Sequence, residues 1–205
     1  MMPGASRVHS LGVTVVLFAV CFGFRTELES DPVLHVIVQL PMLGWAGWLL
    51  ADALSDRWGR SLFETYNTGG WAGLLVALVA IAFWMLPRSI DGALSSGEME
   101  LAKFISVPLL IGAPLRLSWR RAHPLLRGVL MANALSMLGV LAWLYTAAPV
   151  RICNSYLVGD QQRLGEAFIY VGVALAVVWC GRLFMGPSDP TAARSEIDLL
   201  GNKIS

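Results

Sequence analysis

The residues able to do chemistry are few, and most of them are predicted to sit at one end of long apolar helices. His35 is the one histidine inside an apolar run, and Gln39 follows it at i+4, so the two share a helix face. An imidazole and an amide on one face, near a membrane surface, suit a metal, a haem or a buried hydrogen-bond network. Further along, Glu98, Glu100 and Lys103 open one apolar run, and Asp160, Arg163 and Glu166 open another. Packed side by side, these segments bring His35, Gln39, Glu100, Lys103, Arg163 and Glu166 to one membrane surface as a polar cluster. Such a cluster binds an ion, relays protons or neutralises its own charges as ion pairs such as Lys103 with Glu166 or Arg163 with Asp160. As metal ligands, His35 and the thioether of Met99 are weak candidates, because a metal needs several matched donors. Cys21, Cys153 and Cys180 have neither zinc spacing nor a redox-pair motif, and no phosphate loop or nucleophile elbow is present. The expectation is a protein without catalytic residues, not an enzyme, with no bound cofactor and no metal site.

The elements that must position these groups follow from composition. Of 205 residues, 56% are hydrophobic and 14% charged, and the mean hydropathy is +0.64. One soluble core of this size cannot hide so much apolar surface. The net charge of +1 leaves no basic footprint for nucleic acid. What remains is an all-α polytopic membrane protein. Six apolar runs approach the ~20 residues that cross a bilayer, at about 9–26, 33–53, 70–87, 101–118, 126–147 and 165–186. They form a transmembrane domain over 1–186, with a short tail at 187–205. The first run is read as a helix and not as a cleaved signal peptide, since no small-x-small cleavage site follows it.

An internal repeat orders the runs. Leu34 and Leu101 each open a helix with a proline seven residues on, Pro41 and Pro108, and Leu164 opens a third. Six helices in three successive hairpins are therefore predicted, with Leu34, Leu101 and Leu164 at one membrane surface and a bend or local loosening at Pro41 and Pro108. Gly44, Gly47 and Ala51 form a small-residue ridge suited to close helix contact, within the chain or with a partner. Trp45, Trp48, Trp84 and Trp143 are read as packing residues.

Orientation follows from Lys and Arg near the spans. With the N-terminus cytoplasmic, Arg7, Arg57, Arg60, Arg116, Arg120, Arg121, Arg127, Arg182, Arg194 and Lys203 lie inside. Arg25, Arg88, Lys103, Arg151 and Arg163 lie outside. Ten against five places both termini in the cytoplasm. The cluster Arg116–Arg127 is chiefly a topology signal, and secondarily a site for anionic lipid.

Several segments resemble the CtaG-type membrane proteins, a family linked to assembly of haem–copper cytochrome oxidase. Val107-Pro108-Leu109-Leu110-Ile111-Gly112-Ala113-Pro114-Leu115-Arg116-Leu117 is similar to the family's Pro-Leu-Leu-x-x-Gly-Ala-Pro segment. Ala142-Trp143-Leu144-Tyr145, then Pro149 and Asn154-Ser155-Tyr156-Leu157, resembles its Trp-x-x-x-x-Pro-x-x-Tyr-x-x-x-Leu loop. Arg163-Leu164-Gly165-Glu166-Ala167, with Trp179 thirteen residues after Glu166, resembles its His-x-x-Glu-His helix start. The likeness covers about residues 70–185.

Of the family's paired histidines, only His35 remains, in the first hairpin with Gln39 at the second place; the other positions are Arg163 and Ala167 in the last hairpin and fall near Ser95 and Met99 in the middle one. The resemblance implies an accessory or assembly protein of a multi-subunit redox complex of the respiratory chain in a bacterial inner membrane, with the metal site degenerate. Its partners would be the bilayer and a larger membrane complex. The alternatives are a small transporter or ion-binding permease, and a copper-handling assembly factor.

The orientation is open to test. With the native cysteines removed, a cysteine at Ala122 in the arginine-rich loop should stay unlabelled by a membrane-impermeant thiol reagent in intact cells. Ready labelling would reverse the topology.

Overall fold

The computed structural model describes residues 3–58, 67–147 and 155–185, with side chains from Arg7 to Leu54 in the first stretch. The tail 187–205, with Arg194 and Lys203, lies outside the described residues. So do Pro149, Arg151, Cys153, Asn154 and Arg60, and nothing is described of the Arg57 side chain.

The described residues are helical, with no strand among them. Helix α1 (Pro3–Gly23) runs into a short α2 (Arg25–Ser30). A widened π turn (Leu34–Gln39) then leads into α3 (Leu40–Trp58). A 3₁₀ turn (Thr68–Gly70) opens α4 (Trp71–Trp84), and α5 (Pro87–Ser95) leaves it at 70°. Next come α6 (Gly97–Ser106), a second π turn (Val107–Gly112) and α7 (Ala113–Trp119), which together make one continuous helical stretch, Gly97–Trp119. Helices α8 (Pro124–Ala147) and α9 (Val158–Phe184) follow.

Four helical stretches are long and apolar enough to cross a membrane: Leu34–Leu54, Gly97–Trp119, Pro124–Ala147 and Val158–Phe184. The bent pair α4 and α5 makes a fifth if it counts as one span. The apolar part of α1, Arg7–Gly23, is shorter. At ~1.5 Å per residue, it falls short of the ~30 Å hydrocarbon core that the longer helices match.

Local sequence explains the breaks. Pro41 has no N–H, so the helix skips a bond, and Leu40 N–H reaches back five residues to His35 O. Val107 N–H still bonds to Lys103 O, but Pro108 donates nothing to the next carbonyl, and the turn closes with Ala113 N–H on Pro108 O. Both helices that carry the repeated proline are thus loosened. The loosened turns are not at equivalent places: one precedes Pro41, and the other begins at Val107, just before Pro108.

Packing is tightest where α3 crosses the second π turn. A Cβ on Gly112 would stand 2.0 Å from Gly44 O, and one on Gly47 would stand 2.1 Å from Pro108 O. Backbone lies on backbone there, which only glycine permits. Of the small-residue ridge, Gly47 therefore serves contact within the chain, Ala51 is buried, and the Cβ position of Gly44 is open. Helix α1 packs on α3, α4 on α7 and the second π turn, and α8 on α9.

Polar clasps join the far end. Buried Asn67 donates to Ser118 Oγ (2.8 Å) and accepts from Gly73 N–H (3.1 Å), tying the start of α4 to α7. Gly70, in the left-handed region (φ 79°), lets the chain enter α4 against the Ser118 carbonyl.

Two sequence expectations need correction. Trp45 and Trp143 are not packed inside; they are 63% and 69% exposed on the surface of the bundle. Ala122 is buried beside Gly70, so the exposed neighbour His123 is the better labelling position.

The crossing can be tested by methyl addition. Gly112→Ala and Gly47→Ala should each lower stability in detergent by roughly 1–3 kcal/mol, because the backbones must part. Gly44→Ala, with nothing within 4 Å of its Cβ, should leave the melting temperature unchanged.

Candidate functional site

The site is a buried polar network where α2, the first π turn, α6 and the segment before α9 meet. Lys103, on α6, is 0% exposed. Its ammonium has three N–H donors, and three acceptors surround it. They are Glu29 Oε1 at 2.5 Å, Gln39 Oε1 at 3.1 Å and His35 Nε2 at 3.3 Å.

This arrangement assigns the rest. Because His35 Nε2 accepts from Lys103, Nδ1 carries the ring proton, and it lies 3.2 Å from Tyr156 Oη. Tyr156 in turn donates to the Glu29 backbone carbonyl at 2.8 Å. Gln39 Nε2 donates to Glu29 Oε1 at 3.0 Å and approaches Cys21 O at 3.4 Å. One cation, one carboxylate, one imidazole, one amide and one phenol thus satisfy one another in the interior.

Around this core lies a ring of ion pairs. Arg25 meets Glu100 at 3.2 Å, and Arg163 meets Asp31 at 3.1 Å and Asp160 at 3.8 Å. The same Asp31 accepts the Val33 N–H at 2.8 Å, capping the turn that holds His35. Asp160 reaches back to the Leu157 N–H (3.3 Å) at the start of α9. Asp91 on α5 accepts the Ser155 N–H at 3.0 Å.

Of the six residues predicted to converge, the structure brings together His35, Gln39 and Lys103. Glu100 and Arg163 stand at the rim, each with a partner of its own. Glu166 is exposed, one turn along α9 from the rim residue Arg163, and Lys103 pairs with Glu29 in its place. The contacts of His35 with Lys103 and of Asp31 with Arg163 set Leu34, Leu101 and Leu164 at the same end of the bundle.

The sequence analysis singled out neither Glu29 nor Asp31, which lie in the acidic stretch 25–32. Tyr156 entered only through the resemblance. The available signal was charge balance: a lone lysine inside an apolar run needs a carboxylate.

As a metal site the arrangement is poor. Among the described residues no group of three His, Cys, Asp or Glu side chains could hold an ion. His35 uses one ring nitrogen to accept from an ammonium, which repels a second cation, and the other carries its proton. Met99, half-buried, packs beside Gly92.

No protein-family description, curated protein or solved structure matches this chain.

The network makes a clear demand on Tyr156. Replacing it by Phe removes the donor to Glu29 O and the partner of His35 Nδ1. Stability in detergent should fall by about 1–3 kcal/mol. The exposed Tyr170 (74%) serves as control, and Tyr170→Phe should change nothing measurable.

Proposed function

We propose that this chain is a non-catalytic integral membrane accessory or assembly protein of a multi-subunit membrane complex. The observation that carries this reading is the closure of the polar network. Each of the three Lys103 donors has an acceptor inside the protein, so the charges fasten helices and offer no open face to a reactant. The outward surface is apolar instead. Helices α8 and α9 are mostly exposed along their spans and present Trp143, Tyr170, Val173 and Val177 laterally. Between them runs a groove of about 540 Å³ with small residues, Gly139, Ala142, Gly172 and Ala176, on its walls. Small residues on an exposed helix pair are what close approach of a neighbouring helix uses.

The finer parts of the proposal have separate supports. Six spans in three hairpins, with α1 as the first and α4 plus α5 as the third, rest on the repeat and on the pairwise packing of α1 with α3, α4 with α7 and α8 with α9. A bacterial inner membrane with both termini cytoplasmic rests on the arginine distribution. A redox complex as the partner rests on the resemblance to CtaG-type proteins alone. A second reading, a small transporter or ion-binding permease, draws on the titratable groups inside a span beside a π turn, a combination common at functional sites.

Affinity purification in mild detergent separates the readings. Large membrane subunits should co-purify with the wild type, and Gly139→Leu should weaken that association. The Cβ position of Gly139 meets nothing within 4 Å, so the fold should survive. Metal or haem that is stoichiometric in the wild type and lost in His35→Ala would replace the accessory role with metal handling. A chain that purifies alone and conducts an ion in liposomes would favour the permease.

A further inference from the structure

Between α3, α4 and α7 runs an apolar groove of about 440 Å³, within the ~300–1,000 Å³ of small-molecule sites. Gly44 forms its floor, and Trp45, 63% exposed, flanks it. Trp48 and Leu115 close its far end. There the groove meets charge: the Arg116 guanidinium lies 5.7 Å from the Trp48 ring centroid and is paired with Asp52. Arg116 also opens the arginine-rich loop, in which Arg127 donates to Arg120 O at 3.4 Å and stacks 5.7 Å from Trp119. Among the described side chains, Arg116, Arg120, Arg121 and Arg127 stand at this end of the bundle against Asp52, four basic groups to one acidic.

We propose that the groove is a lipid site. It holds one acyl chain of an anionic glycerophospholipid, whose phosphate is received by Arg116 and the arginine loop beside it. The chemistry fits at both ends. The walls of the groove are almost wholly apolar side chains, so an acyl chain displaces nothing that needs a hydrogen bond. A guanidinium matches phosphate with two parallel donors, and the excess of basic groups selects an anionic headgroup. The open Cβ direction of Gly44 is what leaves the floor clear, whereas Gly47 and Gly112 are filled by backbone. The proposal rests on the helices lying in a bilayer and is independent of the accessory role.

Native mass spectrometry of protein released from nanodiscs of equal phosphatidylglycerol and phosphatidylcholine tests it. The wild type should retain one phosphatidylglycerol, preferred over phosphatidylcholine by about fivefold or more, the worth of one surface arginine. Gly44→Leu should lose the lipid at an unchanged melting temperature. Leu115→Trp, which fills the groove from α7, should lose it too and stands in if Gly44→Leu is unstable. The triple variant Arg116→Gln, Arg120→Gln and Arg121→Gln, which cancels the basic excess, should keep a lipid but lose the headgroup preference. A wild type without lipid, equal retention of the two headgroups, or full retention in both groove-filling variants would overturn the proposal.

Discussion

An ammonium buried among apolar helices is the constraint on which this fold turns. Lys103 has no contact with solvent, and an uncompensated charge at such a place costs several kcal/mol. The chain meets that cost with three acceptors drawn from two elements, Glu29 on α2 and His35 and Gln39 on the first π turn. Tyr156, just before α9, then fastens both the imidazole and the Glu29 backbone. Four separate segments are therefore registered against one another, three by Lys103 and the fourth by Tyr156. The role of such a network is specificity of arrangement: an alternative packing of these apolar helices would strand the charge.

The backbone makes this possible. Pro41 loosens the helix just after His35 and Gln39, and the π turn carries both toward α6. Below it, Gly47 and Gly112 let α3 and the second π turn touch backbone to backbone, which draws α6 close enough for Lys103 to reach across. At the opposite end Asn67 with Ser118, and Asp52 with Arg116, repeat the tactic on a smaller scale. Between the two polar ends lies an apolar middle with room along Gly44.

Much of this was legible in the sequence. The apolar runs located the long helices, because hydropathy over ~20 residues is a strong signal, but not their ends: the last helix starts at Val158 and not at 165, since its first two turns are polar. The repeated proline correctly marked two loosened helices, and the i, i+4 spacing put His35 and Gln39 on one face. What sequence could not supply was partnership across distance. Glu29 and Lys103 are 74 residues apart, and nothing local distinguishes Glu29 from Glu27 or Asp31 in the same acidic stretch. For the same reason Glu166 was the expected partner of Lys103, although it is exposed, and Glu29 was not considered. The glycine ridge shows a related limit: composition revealed a close approach but not against which helix. Trp45 and Trp143 illustrate a third, since an indole mid-helix reads alike whether it meets protein or lipid.

The central claim is that Lys103 and Glu29 form one energetic unit that fastens the bundle. The direct measurement is a double-mutant cycle on unfolding in detergent, with Lys103→Met, Glu29→Gln and the two combined. Each single change leaves a buried partner unmatched and should cost about 3–5 kcal/mol. The pair together should recover most of that, giving a coupling energy well above the ~0.5 kcal/mol scatter of independent sites. Additive losses, or a Lys103→Met variant as stable as the wild type, would contradict the account.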